Sequence, residues 1–246
     1  MNLTRSYFMA FQELLVFSGA EFEPPFVSKP GVRIIMASGP TEESVVGSGG
    51  DDAFIRSGEF KARLCYLAFP AEGLSTDAAA AEGYVQKLID RGHLSVWNAF
   101  YVEFLVCGIA TETMIELLAH TEAKTSRLTT SKTKAQTDTF YRVFGTPEQV
   151  DLQKAAIRAW MDKREELKQQ PLTVEQRNML NLGTKCGALT FCMSLKDYRR
   201  FLAGRCCVEG NETEIREVAL EMLRQLHARY PLMFEALARQ YSVIDE

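Results

Sequence analysis

Four segments of the chain have the hydrophobic pattern of β-strands. Phe100 and Phe104 belong to an alternating series in which every second residue is apolar, so these side chains share one face of a strand. That series consists of Phe100, Val102, Phe104 and Val106. A continuous apolar run at 186 to 193 is typical of a strand buried on both faces. The predicted strands cover residues 32 to 37, 61 to 69, 100 to 106 and 186 to 193.

Other segments have the 3.6-residue periodicity of helices. The longest covers 111 to 134, where apolar positions near Met114 and Leu118 give way to polar and basic residues. A further helix begins at Lys196, and Pro231 ends the last one. The predicted helices cover residues 78 to 90, 111 to 134, 148 to 168, the segment from 196, and 212 to 229, after a break at Gly210-Asn211.

This element order predicts one α+β domain. Residues 1 to 60 are interpreted as an irregular lead-in with one strand, because turn-forming pairs interrupt their apolar segments. Residues 61 to 235 form the predicted catalytic domain, and residues 236 to 246 a C-terminal tail. Gly47 to Gly50 lacks the spacing of a phosphate loop and is interpreted as a flexible connector.

Composition and charge then exclude several classes of protein. The 246 residues are 46% hydrophobic, enough for a sizeable core, and 28 basic against 32 acidic residues give a net charge of -4. A chain-wide basic surface for nucleic acid is therefore missing. No apolar run is long enough to span a membrane, and no signal peptide is recognisable, so we expect a cytoplasmic protein without membrane or nucleic-acid partners.

The cysteine and histidine patterns argue against disulfides and metals. The six cysteines form no CxxC pair and lie mostly in apolar stretches, which is typical of reduced core residues in a reducing compartment. The three histidines are widely spaced and do not cluster with cysteines. We therefore expect no bound metal.

Cationic residues at the ends of elements indicate an anionic ligand. If residues 121 to 134 were helical, Glu116, His120, Arg127, Ser131 and Lys134 would form roughly one stripe. Arginine, lysine and serine are the donors that a phosphate needs. Arg205 has an unusually apolar neighbourhood for an arginine, and a bound anion or an internal salt bridge to acids at 209 to 217 would satisfy it equally well.

Four sequence segments together resemble the flavin-dependent thymidylate synthases, the ThyX family. The resemblance covers roughly residues 60 to 230 and is strongest in the last third. Each motif is weak alone, but their joint order is fairly specific. The segments are GHLSVWNAF (92 to 100), ETMIELLAHTEAKTSRLTTSKTKAQ (112 to 136), QRNMLNLGTKCGALTFCMSL (176 to 195) and YRRFLAGRCCVEGNETEIREVALEML (198 to 223).

The resemblance implies a homotetramer with an antiparallel sheet and a helical core. In such enzymes FAD and a uridine monophosphate meet between subunits. NADPH would reduce the flavin, and methylenetetrahydrofolate would supply the carbon that becomes the methyl group on uracil C5. No enzyme cysteine acts as nucleophile in this chemistry, so positioning and electrostatics would carry the catalysis.

The resemblance also implies roles for individual residues. Arg205 and Ser131 are the expected catalytic residues, and Arg205 matches an arginine that binds the nucleotide. The expected substrate-binding residues are Glu116, Arg127, Ser131, Lys132, Arg177 and Arg205. The expected cofactor-binding residues are His93, Ser95, Asn98, His120, Ser194, Lys196 and Arg200.

The chain departs from the family at its signature, which is usually Arg-His-Arg, seven residues and then serine. Here His120 lies between Ala119 and Thr121, and no register restores both arginines. Aligning on His120 places Thr129 at the serine position, whereas the preferred register places Ser131 there. A divergent branch with this pattern is similar to the UMP C5-methylase of polyoxin-type peptidyl-nucleoside antibiotic pathways, so UMP is favoured over dUMP.

Three alternatives remain open at this point. The first is a thymidylate synthase proper, acting on dUMP, and the second is a non-catalytic homologue that binds nucleotide or flavin. The third, a nucleotide hydrolase outside the family, would need a general base or metal-binding carboxylates that the sequence does not offer.

Overall fold

The structure is a computed structural model of the whole chain. It describes residues 11 to 37, 50 to 66, 68, 78 to 127, 140 to 171, 173, 184 to 207 and 213 to 244. The chain divides into two compact units, each built from two separate segments. Unit 1 comprises Met1–Arg33 with Leu105–Phe191, and unit 2 comprises Ile34–Phe104 with Cys192–Glu246.

The described elements confirm the α+β class. The helices are α1 (Phe11–Ser18), α2 (Gly50–Tyr66), α3 (Ala78–Asp90), α4 (Thr111–Leu118), α5 (Pro147–Lys168), α6 (Leu195–Arg205), α7 (Thr213–Arg229) and α8 (Pro231–Gln240), with a short 3-10 helix at Leu94–Trp97. The strands are β1 (Glu21–Glu23), β2 (Phe26–Lys29), β3 (Gly31–Ala37), β4 (Tyr101–Ala110), β5 (Lys124–Arg127), β6 (Tyr141–Arg142) and β7 (Cys186–Ser194). They form a sheet of order β1-β2-β6 and a sheet of order β3-β4-β7-β5.

The two central strands of the larger sheet, β4 and β7, were predicted correctly. In β4 the alternating residues Val102, Phe104 and Val106 are fully buried. From Leu105 onward the intervening residues are buried too, so β4 changes from one buried face to two. Strand β7 is buried along almost its whole length, as its continuous apolar run indicated.

Unit 1 contains its own apolar core. Leu15 of α1, Val27 of β2 and Cys107 of β4 pack together with Phe140. Strand β1 pairs antiparallel with β2, which pairs in parallel with β6. A buried arginine, Arg142, donates from its guanidinium to the backbone carbonyl oxygens of residues 27, 28 and 143. These bonds hold β6 and β2 together beyond their short ladder.

Unit 2 is mostly helical. Helices α7 and α8 pack against each other and against α6, and α2 packs against α3 and the 3-10 helix. The centre is aromatic, because the ring of Phe54 in α2 contacts the rings of Trp97, Phe100 and Tyr230 at centroid distances of 5.4, 5.7 and 5.4 Å. This cluster fixes the 3-10 helix to the helical layer.

The strand predicted at 61 to 69 is wrong, because residues 61 to 66 are the last six residues of helix α2. The buried positions of α2 recur three to four residues apart, which is the spacing of a helix face. They are Phe54, Ile55, Ser57, Gly58, Glu59 and Ala62. The segment is rich in residues that favour strands, but the packing of this face within unit 2 stabilises the helix instead.

The long helix predicted at 111 to 134 is also wrong. Helix α4 ends at Leu118, a turn follows in which the Ala123 N–H donates to the His120 carbonyl at 3.1 Å, and Lys124–Arg127 forms β5. The predicted stripe therefore does not form, because Glu116 and His120 lie on one side of this turn and Arg127 on a strand beyond it. Polar residues after Leu118 offer no apolar face to extend the helix, whereas β5 gains backbone bonds beside β7.

The two chain ends contain more structure than expected. The lead-in holds α1 and three strands, of which only β3 was predicted, and α2 begins at Gly50 within the expected connector. The helix predicted at 212 to 229 ends before Pro231 as expected, but Pro231 also begins a further helix, α8, whose Phe234 and Leu237 are buried. Proline is favoured in the first turn of a helix, so the same residue ends α7 and starts α8. Residue 235, the expected domain end, lies inside α8.

Candidate functional site

The predicted flavin-side loop is a tight turn that leads into the 3-10 helix. Gly92 has a φ of +73°, a conformation that glycine adopts without strain. The backbone N–H of His93 donates to the Leu88 carbonyl at 2.9 Å, and the N–H of Asn98 donates to the Ser95 carbonyl at 3.1 Å. The loop backbone is therefore bonded to the end of α3 and to itself.

A fully buried tryptophan anchors this loop. Trp97 is completely inaccessible, and its ring stacks on Phe54 with an interplanar angle of 26°. The three side chains that the sequence assigned to the cofactor, His93, Ser95 and Asn98, are all exposed around it. Polar side chains on a fixed backbone are suited to binding a ligand at little cost in conformational entropy.

Phe100 connects this loop to helix α6. Its N–H donates to the Trp97 carbonyl at 3.2 Å, and its carbonyl accepts from the Leu195 N–H at 2.8 Å. The hydroxyl of Tyr198 donates to the Val102 carbonyl at 3.1 Å, which ties the first turn of α6 to β4 as well. The loop and the start of α6, both assigned to the cofactor from the family resemblance, therefore form one junction within unit 2.

Ser194 holds the start of α6. It is 2% exposed, its hydroxyl accepts from the Asp197 N–H at 3.2 Å, and the same hydroxyl contacts the Asp197 carboxylate. This is the hydrogen bond of a helix N-cap. The structure thus gives Ser194 a positioning role, and its predicted contact with flavin stays a prediction.

Helix α6 presents cations on different faces. Lys196 is half-buried and Arg200 exposed, and their spacing of four residues places them on one face. Arg199 instead donates to the Met233 carbonyl of α8, and burial lowers the pKa of its guanidinium. Arg205 is half-buried in the last turn of the helix. The predicted residues Lys196 and Arg200 therefore supply the positive charge of one α6 face.

The predicted residues of unit 1 lie at the end of α4. His120 packs edge-on against the ring of Phe191 in β7, with 6.5 Å between centroids. Glu116 lies one helical turn before His120 and is half-buried. Helix α4 lies so close to β7 that a Cβ on Gly187 would be 3.0 Å from the sulfur of Met114. Glu116 and His120 thus lie four residues apart at the end of α4, whereas Arg127 lies beyond the turn, exposed on β5.

Several predicted positions lie outside the described residues. These are Ser131, Lys132, Lys134 and Arg177. Their expected roles stay predictions.

One further cation, which no sequence motif marks, lies beside the junction. The ammonium of Lys61 on α2 lies 4.4 Å from the centroid of the Phe100 ring. Burial lowers its pKa. No sequence signal could have revealed this contact, because it joins two elements far apart in the chain, and the segment was interpreted as a strand.

The chemistry of the junction fits a flavin dinucleotide. A dinucleotide offers a polar ring system and a negatively charged diphosphate. The exposed His93, Ser95 and Asn98 offer hydrogen-bonding groups, and Lys196 and Arg200 offer positive charge. Among the described residues, no group of three or more His, Cys, Asp or Glu side chains could hold a metal ion.

Comparison with known proteins decides the family. Residues 55–232, well over half of the chain, match the family model described as thymidylate synthase complementing protein. The chain belongs to this family. The predicted resemblance and the predicted class, a methyltransferase, are thereby confirmed.

Individual relatives agree with the thymidylate synthase complementing protein family. The flavin-dependent thymidylate synthase of Mycobacterium tuberculosis is 26% identical over 194 residues, which cover 72% of this chain and 76% of the relative. That of Geobacter sulfurreducens is 25% identical over 180 residues, covering 70% and 77%.

A solved structure shares the fold. The crystal structure of the UMP/dUMP methylase PolB from Streptomyces cacaoi, bound with 5-Br dUMP, matches with a TM-score of 0.66 at 15% identity, covering 87% of this chain and 96% of that one. At this identity the match shows the fold alone. No described helix of our chain is long and apolar enough to cross a membrane.

Proposed function

We propose that this protein is a flavin-dependent methyltransferase that methylates C5 of a uridine monophosphate, with UMP favoured over dUMP. FAD is the cofactor, NADPH the reductant and methylenetetrahydrofolate the carbon donor. The observation that carries the proposal is the junction within unit 2. Two segments assigned to the flavin from sequence, the loop at 93 to 98 and the start of α6, are joined there through Phe100.

The residues of the junction would hold FAD by complementary polarity and charge. Lys196 and Arg200 offset the negative diphosphate, and Ser95 and Asn98 supply hydrogen bonds to it or to the ring system. Reduced flavin supplies the electrons that convert a methylene group to a methyl group. Ser194 caps α6 and so keeps the two cations in register with the loop.

The nucleotide would bind through Arg205, with Glu116 and Arg127 as further contacts. Arg205 sits in the last turn of α6, half-buried, where a charge-assisted bond to phosphate is stronger than in bulk water. Ser131, Lys132 and Arg177 complete the proposed substrate set, and Arg205 and Ser131 are the proposed catalytic residues. His120 stays assigned to the flavin.

The preference for UMP rests on the altered signature. In place of Arg-His-Arg the chain has Ala119, His120 and Thr121, and the acid Glu122 follows, exposed in the turn after α4. Loss of two cations changes the surface offered to flavin and nucleotide. The solved methylase with the same fold is described for both UMP and dUMP, so the preference rests on the signature alone.

Two further expectations complete the proposal. We expect a homotetramer, as the family resemblance implies. We also expect a cytoplasmic enzyme, because all six cysteines are free thiols and such thiols persist in reducing compartments.

The first experiment is a flavin spectrum followed by an assay. The purified protein, supplied with FAD, should show the absorbance bands of bound oxidised flavin, and UMP should perturb them more than dUMP. With NADPH and methylenetetrahydrofolate, product analysis should then detect 5-methyl-UMP. Equal or faster methylation of dUMP would reject the UMP preference and identify a thymidylate synthase proper. A protein that binds no FAD would reject the proposal in favour of a non-catalytic nucleotide binder.

A further inference from the structure

Helix α2 carries two cations near its C-terminal end, Lys61 and Arg63, in different electrostatic environments. Arg63 donates to the buried carboxylate of Glu59 at 2.7 Å and lies 4.5 Å from the ring centroid of Tyr84. Its charge is therefore neutralised within α2. Lys61 has no such neighbour: among the described residues, no carboxylate lies within ion-pair distance of its ammonium.

The position of Lys61 connects it to the proposed flavin site. Its ammonium lies 4.4 Å above the ring of Phe100. Phe100 is the residue whose N–H bonds to Trp97 in the loop and whose carbonyl bonds to Leu195 at the start of α6. Lys61 therefore stands over the residue that joins the two cofactor-binding segments.

Partial burial of Lys61 makes the charged form of its ammonium less favourable than it is in water. Burial lowers the pKa of its ammonium, and desolvation is the cause of that shift. A cation–π contact with a phenylalanine compensates only modestly for lost hydration. A bound anion would stabilise the charged form of a lysine in this position. Phosphate is an anion that lysine commonly binds, as a compact point charge.

We propose that Lys61 binds a phosphate group of the ligand held at this junction. The inference rests on the proposed function and extends it by one residue on a third element, helix α2. The phosphate comes either from the diphosphate of FAD or from the monophosphate of the nucleotide substrate. In both cases Lys61 contributes affinity for the charged ligand and none for its dephosphorylated counterpart.

The test compares ligands with and without phosphate. Lys61→Met removes the charge and keeps an unbranched apolar side chain on Phe100, and Lys61→Arg restores a cation. Lys87→Met, which removes an exposed lysine of α3, is the matched control. For each protein, FAD and riboflavin are titrated by flavin fluorescence, and UMP and uridine by calorimetry.

We expect Lys61→Met to raise the Kd of either FAD or UMP by about tenfold or more, the scale of one charge-assisted contact. The Kd of riboflavin and uridine should stay unchanged, Lys61→Arg should recover most of the loss, and Lys87→Met should match the wild type. The affected ligand identifies the source of the phosphate. The difference between wild type and Lys61→Met should shrink in high salt.

Two results would overturn the role of Lys61 without affecting the proposed function. One is a Lys61→Met protein that binds FAD and UMP as tightly as the wild type does. The other is an equal loss for phosphorylated and dephosphorylated ligands, which would indicate a structural role on Phe100. A wild-type protein that binds neither FAD nor UMP would instead reject the proposed function, and the role of Lys61 with it.

Discussion

The rings of Phe54 and Trp97 stack with 5.4 Å between their centroids and 26° between their planes. Phe54 belongs to helix α2, and Trp97 ends the 3-10 helix that contains Ser95 and is flanked by His93 and Asn98. Both residues are almost completely buried. The helical part of unit 2 therefore sets the position of a surface loop through one aromatic pair, and changes beneath that loop should alter ligand binding without touching the ligand.

Gly58 tests this relationship directly. A Cβ at position 58 would lie 2.7 Å from Cζ2 of Trp97 and 3.1 Å from its Nε1, and a buried indole has no room to retreat. We expect Gly58→Ala to lower the free energy of unfolding by about 1 to 2 kcal/mol, the cost of overpacking less the helix propensity gained. It should also weaken FAD binding. Chemical denaturation and flavin titration would measure the two effects.

Gly83 provides the control for that substitution. It lies in helix α3 of the same unit, and a Cβ there would meet no atom within 4 Å. Gly83→Ala should therefore raise the free energy of unfolding by about 0.5 to 1 kcal/mol. If Gly58→Ala and Gly83→Ala had the same free energy of unfolding, the close packing of Gly58 on Trp97 would not be what holds the loop in place.

Arg142 should dominate the stability of unit 1. It is completely buried and donates to backbone carbonyls on β2, so its removal leaves buried acceptors without a donor. We expect Arg142→Met to lower the free energy of unfolding by about 2 to 4 kcal/mol. Arg158→Met is the control, because Arg158 is exposed on α5 and rests on the ring of Phe26. Its loss should cost about 1 kcal/mol or less.

Loss of the Arg205 side chain should weaken binding of the nucleotide and leave binding of the flavin unchanged. If its guanidinium binds phosphate or the uracil edge, Arg205→Ala should weaken UMP binding by about 2 to 4 kcal/mol. The exposed Arg200, assigned to the flavin, should show the opposite preference when changed to alanine. Calorimetry with UMP and fluorescence with FAD separate the two. A loss below about 0.5 kcal/mol for UMP would leave Arg205 without its proposed role.

The cysteines should prove dispensable for catalysis. Burial raises the pKa of the Cys107 thiol to about 12, so Cys107 is neither deprotonated nor accessible near neutral pH. Cys65 on α2 is exposed. Mass spectrometry after iodoacetamide treatment at pH 8 should find Cys65 modified first and Cys107 unmodified in the folded protein. The alkylated enzyme should keep its methylation activity, whereas loss of activity would point to a cysteine in the chemistry.

Sequence patterns predicted the buried strands β4 and β7 well, because the burial of a strand face determines which of its positions are apolar. The alternation around Phe104 and the apolar run from Cys186 are set by the sheet faces they cover. The secondary-structure predictions failed where contacts with an element distant in the sequence determine the local conformation. Residues 61 to 66 are helical because α2 packs on Trp97, and 124 to 127 are a strand because β7 offers them backbone bonds. Neither partner is visible in a local window.

Only part of the candidate site was predictable from the sequence. The loop around Ser95 and the α6 residues Lys196 and Arg200 came from the family resemblance, and the structure brings their segments together through Phe100. Lys61 carries no motif and became visible only once α2 lay over the Phe100 ring. Contacts between elements far apart in the chain define it, and these depend on tertiary packing.

Each compact unit is interrupted in the sequence by part of the other, and this affects how the protein is made. Synthesis proceeds from the N-terminus, so unit 1 can close once residue 191 has left the ribosome. The aromatic face of α2 gains its full set of ring contacts only after Tyr230, which follows α7, has been translated. Until then Phe54 has only Trp97 and Phe100 as ring partners. A messenger truncated shortly after codon 191 would therefore yield an aggregation-prone polypeptide in which unit 1 alone is complete.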